Sequence, residues 1–271
     1  MLTQLKDLIK HANDSLKSQY GKKHRKIIQA DILAVYKRNI LSFNADAKTK
    51  KGLKQGFLTG ILYLAPANLS GVNLCPKSSA GCRAACLFTA GRGRFYSVDR
   101  ARRIKTIAYL ADPARFAETI KKSIRSLIAK ADKLDLTPVV RLNGTSDILF
   151  ERNTDIMQSF PDIQFYDYTA IAKRFMFTIP SNYHLTFSLK EHNDLDAQLV
   201  LSRGGNVAAV FRKDLPAEFL GYPVVNGDGN DLRFLDAVGV VVGLKAKGKA
   251  KSDQSNFVRD FTSLVELKIA A

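Results

Sequence analysis

The chain has 271 residues, enough for one large domain or two small ones, and 46% of them are hydrophobic, enough for a packed core. No run of eighteen apolar residues occurs, and MLTQLKDLIKHAND at the start lacks the apolar stretch of a signal peptide, so neither a spanning nor a secreted protein is expected and the reading is cytoplasmic. Lys and Arg number 42 against 25 Asp and Glu, a formal net charge of +17 that attracts polyanions.

Residues 1–43 predict a basic helical hairpin. Leu2, Leu5, Leu8, Ile9 and Leu16 fall on one stripe, IIQADILAVYKRNIL repeats the pattern, and GK at 21–22 breaks the two. Residues 44–271 change texture, with short apolar runs alternating with helical stretches. The expected strands are 61–65, 138–143, 163–168, 184–189, 206–211, 222–226 and 238–243. Helical spacing lies between them in ARFAETIKKSIRSLIAKADKL, FERNTDIMQSF and DLDAQLVLSR. This alternation predicts an α/β domain with mostly parallel strands, a complete or partial (β/α) barrel, with an open doubly wound sheet as the rival.

In a parallel sheet the functional edge lies where strands end. Polar residues cluster just past the expected strand ends, in RLNGTSD, YDYT, SLKEHND, FRKD, NGDGND and GLKAKGK. Asn143, Asp147, Lys190 and Asp228 are the catalytic candidates at this mouth. Basic residues are clustered as well, in GKKHRK (21–26), KTKKGLK (48–54), GRGR through RARRIK (91–105) and LKAKGKAK (244–251). Arg92, Arg94, Arg100, Arg102, Arg103, Lys245, Lys247 and Lys249 are the nucleic-acid-binding candidates, with Phe95 and Tyr96 placed to stack on bases. No strongly apolar amphipathic helix accompanies these runs, so stable membrane association is not expected.

The three cysteines all fall in CPKSSAGCRAAC, as Cys75, Cys82 and Cys86. An odd count in a reducing compartment argues against a disulfide. The residues leave buried, unreactive thiols or metal ligation. If CRAAC is helical, Cys82 and Cys86 share a face. Three thiolates could hold a four-iron, four-sulfur cluster with one iron open, or zinc with a fourth ligand from His24, His184, His192, an Asp or water. The cluster arrangement is similar to that of radical S-adenosylmethionine barrels, which admits S-adenosylmethionine as a further cofactor. The spacing C-x6-C-x3-C departs from that superfamily's C-x3-C-x2-C, and no GGE-like segment follows.

The CP…GC…AC segment at 75–87, the AGRGR after it, VVRLNGTSD at 139–147 and VVNGDGNDLRFLD…VVVGLKAKGKAK at 224–251 resemble the phage gene product 88 domain family and related phage proteins, over roughly residues 44–251. In that family the middle motif ends in a Gly-Asp pair, where this chain has Thr145-Ser146-Asp147. The family carries no established activity, so the resemblance implies a phage or prophage protein in the host cytoplasm and no particular reaction.

Three functions fit these observations. The first is an iron–sulfur barrel protein that acts on or binds nucleic acid or nucleotides. The second is a non-catalytic, metal-stabilised DNA- or RNA-binding protein. The third is a divalent-metal nuclease using Asp147 and Asp228.

Overall fold

A computed structural model describes residues 2–43, 47–89 and 91–260. The boundary expected between 43 and 44 meets residues 44–46, outside the described residues, as do the end of the expected C-terminal domain (261–271) and the Leu2 side chain. In chain order the elements are α1 (Leu2–Tyr20), α2 (Gln29–Val35), β1 (Ser42–Phe43), α3 (Ala47–Leu53), β2 (Phe57–Ile61), α4 (Ala80–Ala84), α5 (Tyr96–Ala111), α6 (Pro113–Asp132), β3 (Thr137–Arg141), α7 (Phe150–Asn153), β4 (Gln164–Thr169), β5 (Tyr183–Ser188), α8 (Asp194–Ser202), β6 (Asn206–Phe211), β7 (Glu218–Phe219), β8 (Tyr222–Asn226), β9 (Val241–Lys245) and β10 (Val258–Arg259).

The chain forms two compact units. The first contains Met1–Pro76, Gly91–Phe165 and Pro180–Tyr183, so the N-terminal hairpin belongs to it. Here β2 runs parallel to β3 in the register Phe57↔Thr137 to Ile61↔Arg141, β3 continues to the start of β4, and β1 adds antiparallel to β2. The long helix α6 starts on Asp112, whose side chain accepts from the Arg115 amide, with Pro113 supplying a preset φ. Its buried stripe Phe116, Ile120, Ile124 and Leu127 packs inward. Leu127 passes so close to β2 that a Cβ on Gly60 would lie 2.9 Å from its Cδ2, so any larger residue there would push the Leu127 side chain aside.

Helix α1 buries Leu8, Ala12 and Leu16. Gly21, at a φ of +61°, breaks the helical run, and both polar atoms of the Asn13 amide fasten Ile27, to its N–H at 2.7 Å and its carbonyl at 2.9 Å. The second helix is shorter than its periodicity suggests: the Asp31 carboxylate accepts from the Ile28 amide to start it, and it stops at Val35.

The second unit contains Lys77–Ala90, Tyr166–Ile179 and His184–Ala271. Within it β5, β6, β9 and β8 run parallel, β7 folds back antiparallel on β8, and β10 joins β6 beyond the end of β5. The continuous apolar runs of β6 and β9 suit strands buried on both faces. Phe187, Val200, Val207, Phe211 and Val241 form the centre of this core.

The expected α/β class with mostly parallel strands is what the structure has. Among the described residues, hydrogen-bonded strand pairing closes no barrel. No helix among the described residues is long and apolar enough to cross a membrane.

Candidate nucleic-acid interface

The site begins with two tyrosines, each bordering a basic run. Tyr20 ends α1 just before GKKHRK, and Tyr96 opens α5 just after GRGR. Their rings meet edge to face with centroids 5.2 Å apart, which holds the two runs side by side within the first unit. The Tyr96 hydroxyl accepts from the Arg25 amide and donates to the Arg25 carbonyl at 2.8 Å, across 71 residues of sequence. The Tyr20 hydroxyl lies 3.4 Å from the Arg94 carbonyl and 3.3 Å from the Asp99 carboxylate. Burial first, and then the Asp99 charge, push the Tyr20 phenol above its ordinary value, so it stays a neutral donor.

Beneath this contact sits a buried ion pair. Arg103, at 0% exposure, sends Nε and Nη2 to the two Asp99 oxygens at 3.0 and 3.1 Å. Its remaining nitrogen contacts reach the Leu69 carbonyl and the Gln19 side chain, so one guanidinium ties α5 to the end of α1. Arg100 bonds the carbonyls of Arg25 and Lys26 at 3.1 and 3.0 Å and the Asp31 carboxylate at 2.7 Å. Arg102 is 7% exposed and lies over the Tyr63 ring, 5.2 Å from its centroid. Arg102 and Arg103 are thus buried within the first unit, while Arg100 ties α5 to the backbone at Arg25 and Lys26. Burial and the Arg102 charge lower the neighbouring Lys105 amine to about 7.

What remains outside is different. Arg92 and Arg94 of the turn Gly91–Arg94, together with Lys22, Arg25 and Lys26, are exposed. None of the five side chains has a carboxylate partner among the described residues. The two acids nearest in sequence, Asp31 and Asp99, are turned onto Arg100 and Arg103. The surface so built gathers five exposed cations, with arginine forks suited to phosphate.

The other predicted residues are placed as follows. Asn143 is buried and braces its own loop, accepting from the Ser146 hydroxyl and the Ile148 amide and donating to the Ile148 carbonyl. Asp147 is buried, and its amide donates to the Leu74 carbonyl at 2.8 Å. In the second unit the Lys190 amide donates to Asn193 and its carbonyl accepts from Arg259. Asp228 accepts from the Lys245 amide at 2.9 Å and the Lys247 amine at 2.6 Å, while Lys249 is exposed on the turn Gly248–Ser252.

The cysteine segment overturns the metal expectation. The helix α4 ends at Ala84 and Ala85 caps it, so Cys86 lies beyond the helix that carries Cys82. Cys75 donates its thiol to the Thr145 carbonyl at 3.6 Å. All three are partly buried thiols, and no group of three or more His, Cys, Asp or Glu side chains among the described residues could hold a metal ion. The iron–sulfur cluster and the zinc expected at Cys75, Cys82 and Cys86 are accordingly withdrawn, and S-adenosylmethionine with the cluster that would have bound it. What organises α4 instead is Glu191, whose Oε1 accepts from the Gly81 amide at 2.5 Å. Burial alone would raise this carboxyl, but hydrogen bonds from Ser79 and the backbone, with the Lys190 charge, hold it below the usual range.

A buried charged group in the second unit escaped the sequence reading. Arg233, 1% exposed, bonds the Asn230 carbonyl at 2.9 Å and pairs with Asp236 at 3.1 Å. Its guanidinium passes where a Cβ on Gly227 would stand 2.9 Å from Nη1. Burial and the Arg233 charge lower the His184 imidazole. The available signal was the spacing of the pair, Arg233 three residues before Asp236.

The model of the Gene product 88 family matches residues 39–260, well over half of the chain. The chain belongs to the Gene product 88 family. The match includes the cysteine segment, Arg92, Arg94 and the lysines of the C-terminal loop, and begins after the GKKHRK run. No curated protein and no solved structure matches the chain.

Proposed function

We propose that this Gene product 88 family member binds nucleic acid through its phosphate backbone, at the surface formed by Lys22, Arg25, Lys26, Arg92 and Arg94, and that it does so in the cytoplasm of a phage host. The observation that supports this reading is the pairing of two basic runs, 71 residues apart at Arg25 and Tyr96, into one surface whose exposed charges meet no carboxylate among the described residues. Cations in that arrangement displace counterions from a phosphate backbone, which makes binding favourable and salt-dependent. Metal is not part of the reading.

The test is fluorescence anisotropy with labelled DNA and RNA oligonucleotides across a series of salt concentrations. Affinity is expected to fall linearly on a log–log plot. The Arg92→Ala/Arg94→Ala variant should lower that slope by about 0.7–0.9 per arginine. Binding that ignores salt, or an unchanged slope in the variant, would sink the proposal.

A further inference from the structure

We infer that the surface takes single-stranded nucleic acid, with Phe95 as the platform on which one base stacks; the inference rests on the phosphate-binding reading above and adds to it the substrate class. Phe95 follows Arg94 directly and stands at the N-cap of α5, outside the helix. Its side chain is 50% exposed and has no ring partner among the described residues.

The contrast with its neighbour is informative. Tyr96 is spent on structure, its ring on Tyr20 and its hydroxyl on the Arg25 backbone. That contact fixes the backbone beside Phe95 and so presents the phenyl ring on a rigid mount, where stacking costs little ordering entropy. A single exposed aromatic is ordinary on a protein surface. One held beside Arg92 and Arg94, with Arg25 secured to the adjacent residue, is an apolar face set in a field of phosphate-binding charge. A base in a single strand offers its π-face to such a ring. In a duplex both faces of each base are covered by stacked neighbours, which leaves phosphates and groove edges but no π-face for the ring. The chemistry that fits both the charges and the ring is an unpaired strand.

The probes are labelled single-stranded oligo-dT and oligo-rU and a DNA duplex of the same length, measured by anisotropy with the wild type, Phe95→Ala, Phe95→Leu, Phe95→Trp and Arg92→Ala/Arg94→Ala. Thermal melts establish that each variant is folded. Wild type is expected to bind the single strands more tightly than the duplex. Phe95→Ala should lose about fivefold to a hundredfold on single strands with the salt slope unchanged, and nothing on the duplex. Phe95→Leu should lose nearly as much because it keeps bulk but not the π-face, while Phe95→Trp should bind as wild type does. A preference shared by dT and rU places the recognition in stacking and phosphate; a preference for one refines the class to DNA or RNA and leaves the platform standing. Equal losses on single strand and duplex, or none on either, overturn the platform while leaving phosphate binding intact. Absence of salt-dependent binding to every probe overturns both.

Discussion

The two basic regions carry similar charge on paper and differ in what answers it. In the first unit the acids are drawn inward: Asp99 closes on Arg103 and Asp31 on Arg100, and the outer arginines and lysines are left to the solvent. In the second, Lys245 at the end of β9 and Lys247 just after it meet acids at the surface. Asp228 takes both the Lys245 amide and the Lys247 amine, and Asp214 lies 3.4 Å from the Lys245 amine. A formal charge of +17 therefore overstates one region and describes the other well. Where the carboxylates point decides which surface a polyanion meets, because nearby opposite charges cancel its field at short range.

The largest effect should come from cutting the buried foundation of the first region. Asp99→Asn leaves the Arg103 guanidinium charged and only partly answered in a site of 0% exposure. Loss of one partner from such a pair costs about 3–5 kcal/mol. Asp228→Asn in the second region breaks a pair whose lysine is half in solvent, and should cost about 0–1 kcal/mol. Urea unfolding of the two variants compares them directly. Similar losses for both would erase the distinction drawn between an internal and a surface use of acid.

A smaller effect concerns a charge that the first unit suppresses. Burial and the nearby Arg102 bring the Lys105 amine down to about 7, with the Ile40 carbonyl 3.4 Å away as its hydrogen-bond acceptor. The unfolded chain keeps this proton up to about 10.4. Between those values the unfolded state binds more protons, so stability rises with pH across that window, and below about 7 the folded protein carries the whole penalty. Lys105→Met should therefore raise stability at neutral pH by on the order of 1–3 kcal/mol, with the gain shrinking toward pH 10. Melting temperatures across that pH range measure it. A gain independent of pH would mean that packing, and not charge, is responsible.

Much of this architecture could be read before it was seen, and the failures have physical causes. NVAAVF was expected at 206–211 and β6 occupies those residues, because an unbroken apolar run between turn residues leaves little choice. Strand β9 begins later than VGVVVG suggests because Gly239, at a φ of +69°, turns the chain before Val241 enters the sheet. The full extent of α5 was hidden because its buried face carries Asp99, Arg102, Arg103 and Thr106, and a hydrophobic period cannot report a face built from ion pairs. The same fact puts Arg102 and Arg103 of the richest arginine run on the buried face of the helix. Each half of the proposed interface was visible as a cluster. Their union was not, because it depends on Tyr20 meeting Tyr96 from opposite ends of two helices. The cysteine spacing misleads for a local reason: only a CRAAC helical throughout would set Cys82 and Cys86 on one helical face, and the helix ends two residues before Cys86.

The smallest expected effect is also the sharpest test of the comparison, because it is a gain. If Asp228 is what silences the second region, replacing it should make that region bind. Asp228→Asn removes one negative charge, releases the Lys247 amine, 2.6 Å away, and weakens the hold on the Lys245 amide. The amine then points its full charge outward while the fold loses little. In an Arg92→Ala/Arg94→Ala background, where the first surface is weakened, the added Asp228→Asn change should raise affinity for oligonucleotides by about two- to fivefold at low salt, on the scale of one modest surface charge interaction. The gain should vanish at high salt, where exposed charges are screened beyond a few ångströms. An Asp228→Glu control keeps the charge and should give no gain. If both substitutions leave binding untouched, the second region is quiet for a reason other than its carboxylates, and counting which acids face outward would no longer explain why one basic run is a binding surface and the other is not.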